Sequence, residues 1–238
     1  GVGYALAAEL PAAGDVVTIC GRSRDALDAA VEALWATLPG GEDDDEASAR
    51  VLATIADVSD PGSVDSLAEF AVRNMDRIDM GGTSSTWTTR GWAGTRPGFA
   101  AYGATKRALP QLMSSLVAEG KGGVVGFHTL SPGMVLTDLL LGDGTQERPA
   151  AWRVFSAIAE EPETVARSLV PRIRAVRGTG KYVRFLTIPR AVGRLAAAFL
   201  LGVNATRHFE KDGTRVKKEG MVYRENGSRD LSRSEKAE

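Results

Sequence analysis

The sequence predicts an α/β fold built on a doubly wound parallel sheet, and three observations carry that expectation. Strand-like runs alternate with helical patterns along most of the 238 residues. Glycine numbers 27 while aromatics make up only 6%, the balance of an alanine-rich domain with tight turns rather than a β-sandwich. A hydrophobic content of 43% over this length also suffices to bury a sizeable core.

The elements follow in order. "GVGYALAAEL" (1–10) sets Gly1 and Gly3 directly before an alanine-rich helix. "DVVTIC" (15–20) is a strand, and the apolar residues of "RDALDAAVEALWATL" (24–38) recur at helical spacing. "RVLATIA" (50–56) is the next strand. A helix over 60–75 follows, with Asp60 as its N-cap and Pro61 at the first helical position. "GGVVGFHTL" (122–130) and "KYVRFLT" (181–187) are later strands, and between them 162–176 reads as a helix interrupted or kinked by Pro171. Such alternation implies parallel strands joined by right-handed crossovers. Residues 39–48, "PGGEDDDEAS", are expected to be a solvated acidic loop. Residues 1–205 are expected to form one domain, and 206–238 a charged, extended or disordered tail.

Composition excludes several function classes. A net charge of −1 provides no basic field for nucleic acid. The single Cys20 rules out an internal disulfide and a cysteine-built metal site, and only His128 and His208 are available as imidazole ligands, so no metal is expected. No apolar run reaches the roughly 18 residues of a membrane span. The best, "LAAAFLLGV" (195–203), lies in a helix flanked by Arg190, Arg194 and Arg207. Such a helix either lies on a membrane surface or packs on its own domain, and packing is the expectation. The chain opens in mid-motif without a methionine, so it is expected to be a piece whose targeting segment lies outside it.

The motifs carry the chemistry. Glycines at a helix start let backbone N–H groups approach a pyrophosphate, although two such glycines equally make a plain turn. The residue just past the next strand meets an adenosine ribose, where an acid favours NAD and an arginine accommodates a 2′-phosphate. Here that residue is Arg22, followed by Ser23, with no acid before Asp25, so NADP(H) is the expected cofactor. Asp57 and Val58 end the third strand, where a carboxylate either bonds a nucleobase amine or starts a helix. Tyr102 and Lys106 share a helix face at i and i+4. A lysine ammonium beside a phenol favours proton release and suits the phenol to acid catalysis, and the lysine can also grip a ribose. As an isolated pair they are also two ordinary helix residues. Pro132, Gly133 and Thr137 then follow the next strand, a rigid turn and a hydroxyl of the kind a nicotinamide ring needs beside it.

Taken together, Gly1-x-Gly3, Arg22, Asp57-Val58, Tyr102-x-x-x-Lys106 and Pro132-Gly133-x-x-x-Thr137 resemble the short-chain dehydrogenase/reductase family, with its Rossmann-like sheet. Within it, "YGATK", "SPGMVLTDLLL" and "EPETVARSLVPRIRAVRGTGKYVRFLTIPR" are similar to the chlorophyll b reductases of plant and algal plastids. The resemblance implies NADPH-dependent reduction of the 7-formyl group of chlorophyll(ide) b to 7-hydroxymethyl chlorophyll(ide). It also implies a chloroplast location, peripheral thylakoid association, and a homo- or hetero-oligomer with a related reductase. By resemblance Tyr102 and Lys106 are catalytic. Gly1, Gly3, Arg22, Ser23, Asp57, Val58, Lys106, Pro132, Gly133 and Thr137 hold the cofactor.

The chain departs from that pattern in one place. The family's first strand precedes Gly1, and its fourth and fifth strands, with a long helix between, should fall within 76–101. Two strands, a helix and their loops need about 33 residues or more, so this segment is expected to be truncated. "IDMGGTSS" shows no apolar strand, and Thr89 stands where the family places a catalytic serine, with Ser84 and Ser85 further off. Read one base out of frame, "TWTTRGWAG" (86–94) is compatible with the family's Met-Asp-x-Ala-Gly stretch, which points to a gene-reading defect. Two other readings stand beside the reductase at this stage: a non-catalytic paralogue or splice form, and a reductase of another carbonyl.

Overall fold

The structure is a computed structural model that describes residues 1–39, 45–75, 80–84, 100–120, 125–141, 149–203, 206–210, 212–218, 221–224 and 227–234. The chain forms two compact units, one of residues 1–78, 220–222 and 230–238, the other of residues 79–219 and 223–229.

The first unit runs α1 (Val2–Ala12), β1 (Val17–Gly21), α2 (Arg24–Trp35), α3 (Asp45–Ser48), β2 (Val51–Ile55) and α4 (Pro61–Asn74). β1 and β2 pair in parallel, from Val17 opposite Val51 to Gly21 opposite Ile55. Ser23 caps α2 by accepting the Ala26 N–H at 3.4 Å. The helix then buries Leu27, Val31 and Leu34, one stripe at helical spacing. Ala7, Val31, Leu34, Leu38 and Val51 make the core of the unit. α4 starts as its sequence expects, with Pro61 in the first turn and the Asp60 carboxylate accepting the Ser63 N–H at 2.8 Å.

The second unit contains β3 (Met80–Ser84), α5 (Ala100–Glu119), β4 (Gly126–Ser131), α6 (Asp138–Leu141), α7 (Pro149–Ile158), α8 (Pro162–Ala175), β5 (Tyr182–Arg184) and α9 (Ile188–Leu200). Its sheet has the order β3-β4-β5, all parallel, with Met80 opposite Gly126 and Thr129 opposite Tyr182. β6 (Met221–Tyr223) and β7 (Arg229–Ser234) pair in a separate two-stranded sheet. Parallel strands with intervening helices are the architecture that the alternating pattern predicts.

Three local expectations are corrected and one, the packing of α9, is met. "MGGTS" is a strand after all, because β4 offers it a continuous ladder of five residue pairs. Two glycines give it no propensity of its own. Pro171 does not interrupt α8, which is continuous from Pro162 to Ala175. Val165, Ala166, Leu169 and Val170 are buried just ahead of the proline. Burying each large apolar side chain contributes about 1.5–3 kcal/mol, enough together to offset the roughly 3 kcal/mol that an internal proline costs. α9 packs against α7 on its own unit, as expected, with Ala191 and Ala198 buried and Leu195 half-buried. Its large side chains Ile188, Val192, Phe199 and Leu200 are exposed. Lastly, the segment after Arg207 is folded where described, not an extended tail.

That segment folds because aromatic burial and charge neutralisation act together. Phe209 lies 4.5 Å from the Trp152 ring and joins Phe155, Leu136 and Leu141 in the core of the second unit. A turn closes by Glu210 N–H donating to the Thr214 carbonyl at 2.8 Å. Gly213 sits in it at φ +91°, where an added Cβ would come within 2.5 Å of the Trp152 indole nitrogen, so only glycine fits. His208 is fully buried, with Nδ1 3.6 Å from Glu161 and Nε2 3.9 Å from Glu160. Burial first, then the positive Arg207, Arg215 and Lys218, push its imidazole down to about 3. An unfolded histidine titrates near 6.5, so the unfolded chain takes up a proton that the native chain refuses between those values. Stability from this residue is therefore complete above about pH 6.5 and is lost as pH falls towards 3, by an amount on the order of 4 kcal/mol. Denaturant unfolding followed at Trp152 from pH 7 to 4 should show this loss, and His208→Gln should flatten it; an equally steep profile in the variant would assign the acid sensitivity elsewhere.

Candidate functional site

In the first unit the site residues gather at one strand edge. β1 and β2 run parallel and in register, so Arg22–Ser23 and Asp57–Val58 leave adjacent strands at their carboxyl ends, where open α/β sheets bind ligands. Arg22 and Asp57 are electrostatic neighbours. The Asp57 carboxyl is held below the usual carboxylate range first by hydrogen bonds from the Ser59 hydroxyl and N–H, at 2.7 and 2.9 Å, and also by the Arg22 guanidinium. Its own N–H donates to the Ser63 hydroxyl at 2.9 Å. Asp57 thus shapes the turn into α4, while the N-cap itself is Asp60. Ser23 accepts a backbone N–H and keeps its own O–H to donate. Val58 is 71% exposed, an apolar side chain presented to solvent at the same edge.

Gly1 is the N-cap of the eleven-residue α1, and its carbonyl accepts the Ala5 N–H at 3.1 Å. A Cβ at Gly3 would meet nothing within 4 Å, so packing does not demand glycine there. An open helix N-terminus, an exposed guanidinium and an exposed apolar side chain fit the pyrophosphate, phosphate and base of a dinucleotide.

In the second unit Tyr102 and Lys106 stand one turn apart on α5, which packs against β4; Lys106 is half-buried. β4 ends at Ser131 and delivers the buried Pro132 and Gly133, the latter at φ +78°, a left-handed conformation that glycine alone adopts without strain. The chain is then pinned from outside. The Met134 carbonyl accepts the Glu160 N–H at 3.0 Å, and the Leu136 N–H donates to the Glu160 carbonyl at 3.0 Å, a parallel bridge centred on Val135. Thr137 donates its N–H to the Val135 carbonyl, and its own carbonyl accepts from Leu140 and Leu141, which starts α6.

Gly1, Gly3, Arg22, Ser23, Asp57 and Val58 thus belong to the first unit, and Tyr102, Lys106, Pro132, Gly133 and Thr137 to the second. Ser84 closes β3, whereas Ser85, Thr89 and the out-of-frame stretch 86–94 lie outside the described residues. The sequence reading missed Glu160 and Glu161, 2% and 3% exposed, which flank the loop after β4. Adjacent acids before a helix proline look like surface residues until Arg207 and Arg215 are brought to them. Among the described residues no group of histidine, cysteine and carboxylate side chains could hold a metal, and no helix is long and apolar enough to cross a membrane.

No family model matches the sequence. Curated relatives do. The chain is 43% identical over 145 residues to "Probable chlorophyll(ide) b reductase NYC1, chloroplastic" of Oryza sativa, covering 61% of this chain and 25% of that one. It is 32% identical to the protein of the same name in Arabidopsis thaliana, over 84% of this chain and 51% of the relative. It thus spans about a quarter and a half of these two relatives' lengths. To "Chlorophyll(ide) b reductase NOL, chloroplastic" of Arabidopsis thaliana it is 30% identical, over 89% of this chain and 74% of the relative. Among solved structures it resembles an NADPH-bound short-chain oxidoreductase from Pseudomonas aeruginosa, with TM-score 0.56, 19% identity and coverage of 79% and 93%. A 7α-hydroxysteroid dehydrogenase complexed with NADH gives TM-score 0.57 at 17% identity, with coverage of 77% and 88%. The structural likeness shows the fold of the short-chain dehydrogenases/reductases, and the match to most of the third relative's length shows the family: the chain belongs to the family of the chlorophyll(ide) b reductases.

Proposed function

We propose that this chain is the reductase domain of an enzyme that reduces the 7-formyl group of chlorophyll(ide) b to a hydroxymethyl group with NADPH, in the chloroplast. The single observation that carries this reading is the likeness to a chlorophyll(ide) b reductase along 89% of the chain. The edge of the first unit supports the cofactor choice, since Arg22 stands beyond β1 with its guanidinium exposed. NADPH supplies the hydride when bound. Arg22 and the Ser23 hydroxyl would hold its 2′-phosphate, and the N–H groups behind Gly1 and Gly3 its pyrophosphate. Lys106 would hold the nicotinamide ribose, with Pro132, Gly133 and Thr137 as the residues beside the ring. Tyr102 gives its phenolic proton to the formyl oxygen as the carbon becomes tetrahedral, and Lys106 steadies the phenolate until solvent returns the proton.

We further propose that the enzyme works at the thylakoid surface, seated by α9. Ile188, Val192 and Phe199 are exposed along one stripe of that helix, and Leu200 and Leu201 continue it at 81% and 76% exposure. The Arg153 guanidinium lies over the Phe199 ring at 4.9 Å. No acidic residue occurs between Thr164 and Arg207, while arginines and lysine recur throughout. An apolar stripe in a wholly basic segment suits an anionic lipid surface.

Three outcomes are expected. Arg22→Asp sets a carboxylate against the 2′-phosphate and should weaken NADPH binding by tenfold to a hundredfold, the scale of about 1.5–3 kcal/mol for a charge-assisted contact. Fluorescence titration with NADPH and NADH measures this, and an unchanged preference would remove Arg22 from the cofactor site. Tyr102→Phe should lower kcat on chlorophyllide b by about 10²–10⁴-fold at constant NADPH affinity; near-normal turnover would clear the phenol of any role as the acid. Replacing Val192 and Phe199 by Asp should abolish co-sedimentation with anionic vesicles without changing NADPH affinity, and equal sedimentation of variant and parent would refute the seat on α9.

A further inference from the structure

We infer that residues 207–228 form a polar latch that sets the position of the loop after β4, with Asp138 and Glu160 as positioning residues for the cofactor site. The inference rests on the reductase reading, in which Pro132, Gly133 and Thr137 wall the nicotinamide. The latch closes on both sides of that wall, and the residues that make its contacts, Arg207, His208, Arg215, Arg224, Gly227 and Ser228, all lie within the second unit.

On one side stands Glu160, whose backbone grips the loop at Met134 and Leu136. Its carboxylate, 2% exposed, accepts from Arg207 at 2.7 Å, with Arg194 3.8 Å from the other oxygen. Beside it Glu161 is paired with Arg215. That guanidinium also donates to the His208 carbonyl at 2.8 Å and the Gly227 carbonyl at 3.0 Å, so one arginine ties both ends of the strap to the loop's support. Burial pushes the Glu161 carboxyl up, against the pull of Arg215. Both carboxylates thus need the strap, because a buried acid without its partner is strongly disfavoured.

On the other side stands Asp138, the residue after Thr137. One of its oxygens pairs with Arg224 and the other accepts the Ser228 hydroxyl. The Asp138 and Arg224 side chains are 54% and 45% exposed. An ion pair in solvent adds little to folding stability. It does hold the start of α6, and hence Thr137, against the strap. That separates positioning from plain stabilisation: loss of this pair should loosen the loop while leaving the fold alone.

The test compares Asp138→Asn, Glu160→Gln and the charge swap Asp138→Arg with Arg224→Asp in the full chain. Hydrogen exchange of the peptide covering 132–141 is read against 17–55 in the first unit, with and without NADPH, and NADPH affinity is titrated in parallel. Faster exchange at 132–141 alone and about tenfold weaker NADPH binding are expected for both single variants, because affinity falls with the fraction of molecules whose loop is correctly placed. Asp138→Asn should do this at an unchanged urea midpoint, and the swap should restore affinity. Unchanged exchange at 132–141 would overturn the latch, and a loosened loop with unaltered NADPH affinity would overturn its positioning role. A parent chain that binds no NADPH would sink the reductase reading instead, while the exchange of 132–141 still decides the latch.

Discussion

Two glutamates buried side by side govern the second unit. A carboxylate removed from water is tolerated only with a cation held against it, so Glu160 and Glu161 require Arg207 and Arg215 at fixed places. That requirement folds the C-terminal segment back, and the returning chain brings Phe209 into contact with Trp152. The same glutamate backbone pairs with Met134 and Leu136, so charge neutralisation and the shape of the loop after β4 are one event. His208 stays neutral because burial, and then the positive Arg207, Arg215 and Lys218, disfavour its protonation.

The first unit works by a different constraint. Its two parallel strands end in register, and whatever follows each strand must emerge at the same edge. Sequence distance between Arg22 and Asp57 is therefore immaterial; strand pairing makes them neighbours. Glycine at position 3 and the exposed Val58 have no packing role that explains them.

α9 buries Ala191 and Ala198 while leaving Ile188, Val192, Phe199 and Leu200 exposed. Each exposed leucine or phenylalanine forgoes about 1.5–3 kcal/mol of burial. This exposed apolar face is the observation behind the membrane seat proposed for α9.

Much of this protein was legible in its sequence. Helical and strand periodicities located β1, α2, β2, α4, β4, α8 and β5, because each is set by local spacing of apolar residues and by caps such as Asp60 and Ser23. The Gly-x-Gly, Arg22, Asp57, Tyr102-Lys106 and Pro-Gly motifs could be named as candidates from sequence, since each needs a particular residue type at a short fixed spacing. Tertiary structure alone decided the rest. β3 exists because β4 pairs with a glycine-rich segment of no intrinsic strand preference. α8 survives Pro171 because burial along Val165 to Val170 outweighs a missing hydrogen bond. The described residues from Arg207 onward fold back because they neutralise acids about fifty positions earlier, as the 2.7 Å contact from Arg207 to Glu160 records. Composition marked that segment as a solvated tail, since a charge reads as exposed until the fold supplies its partner.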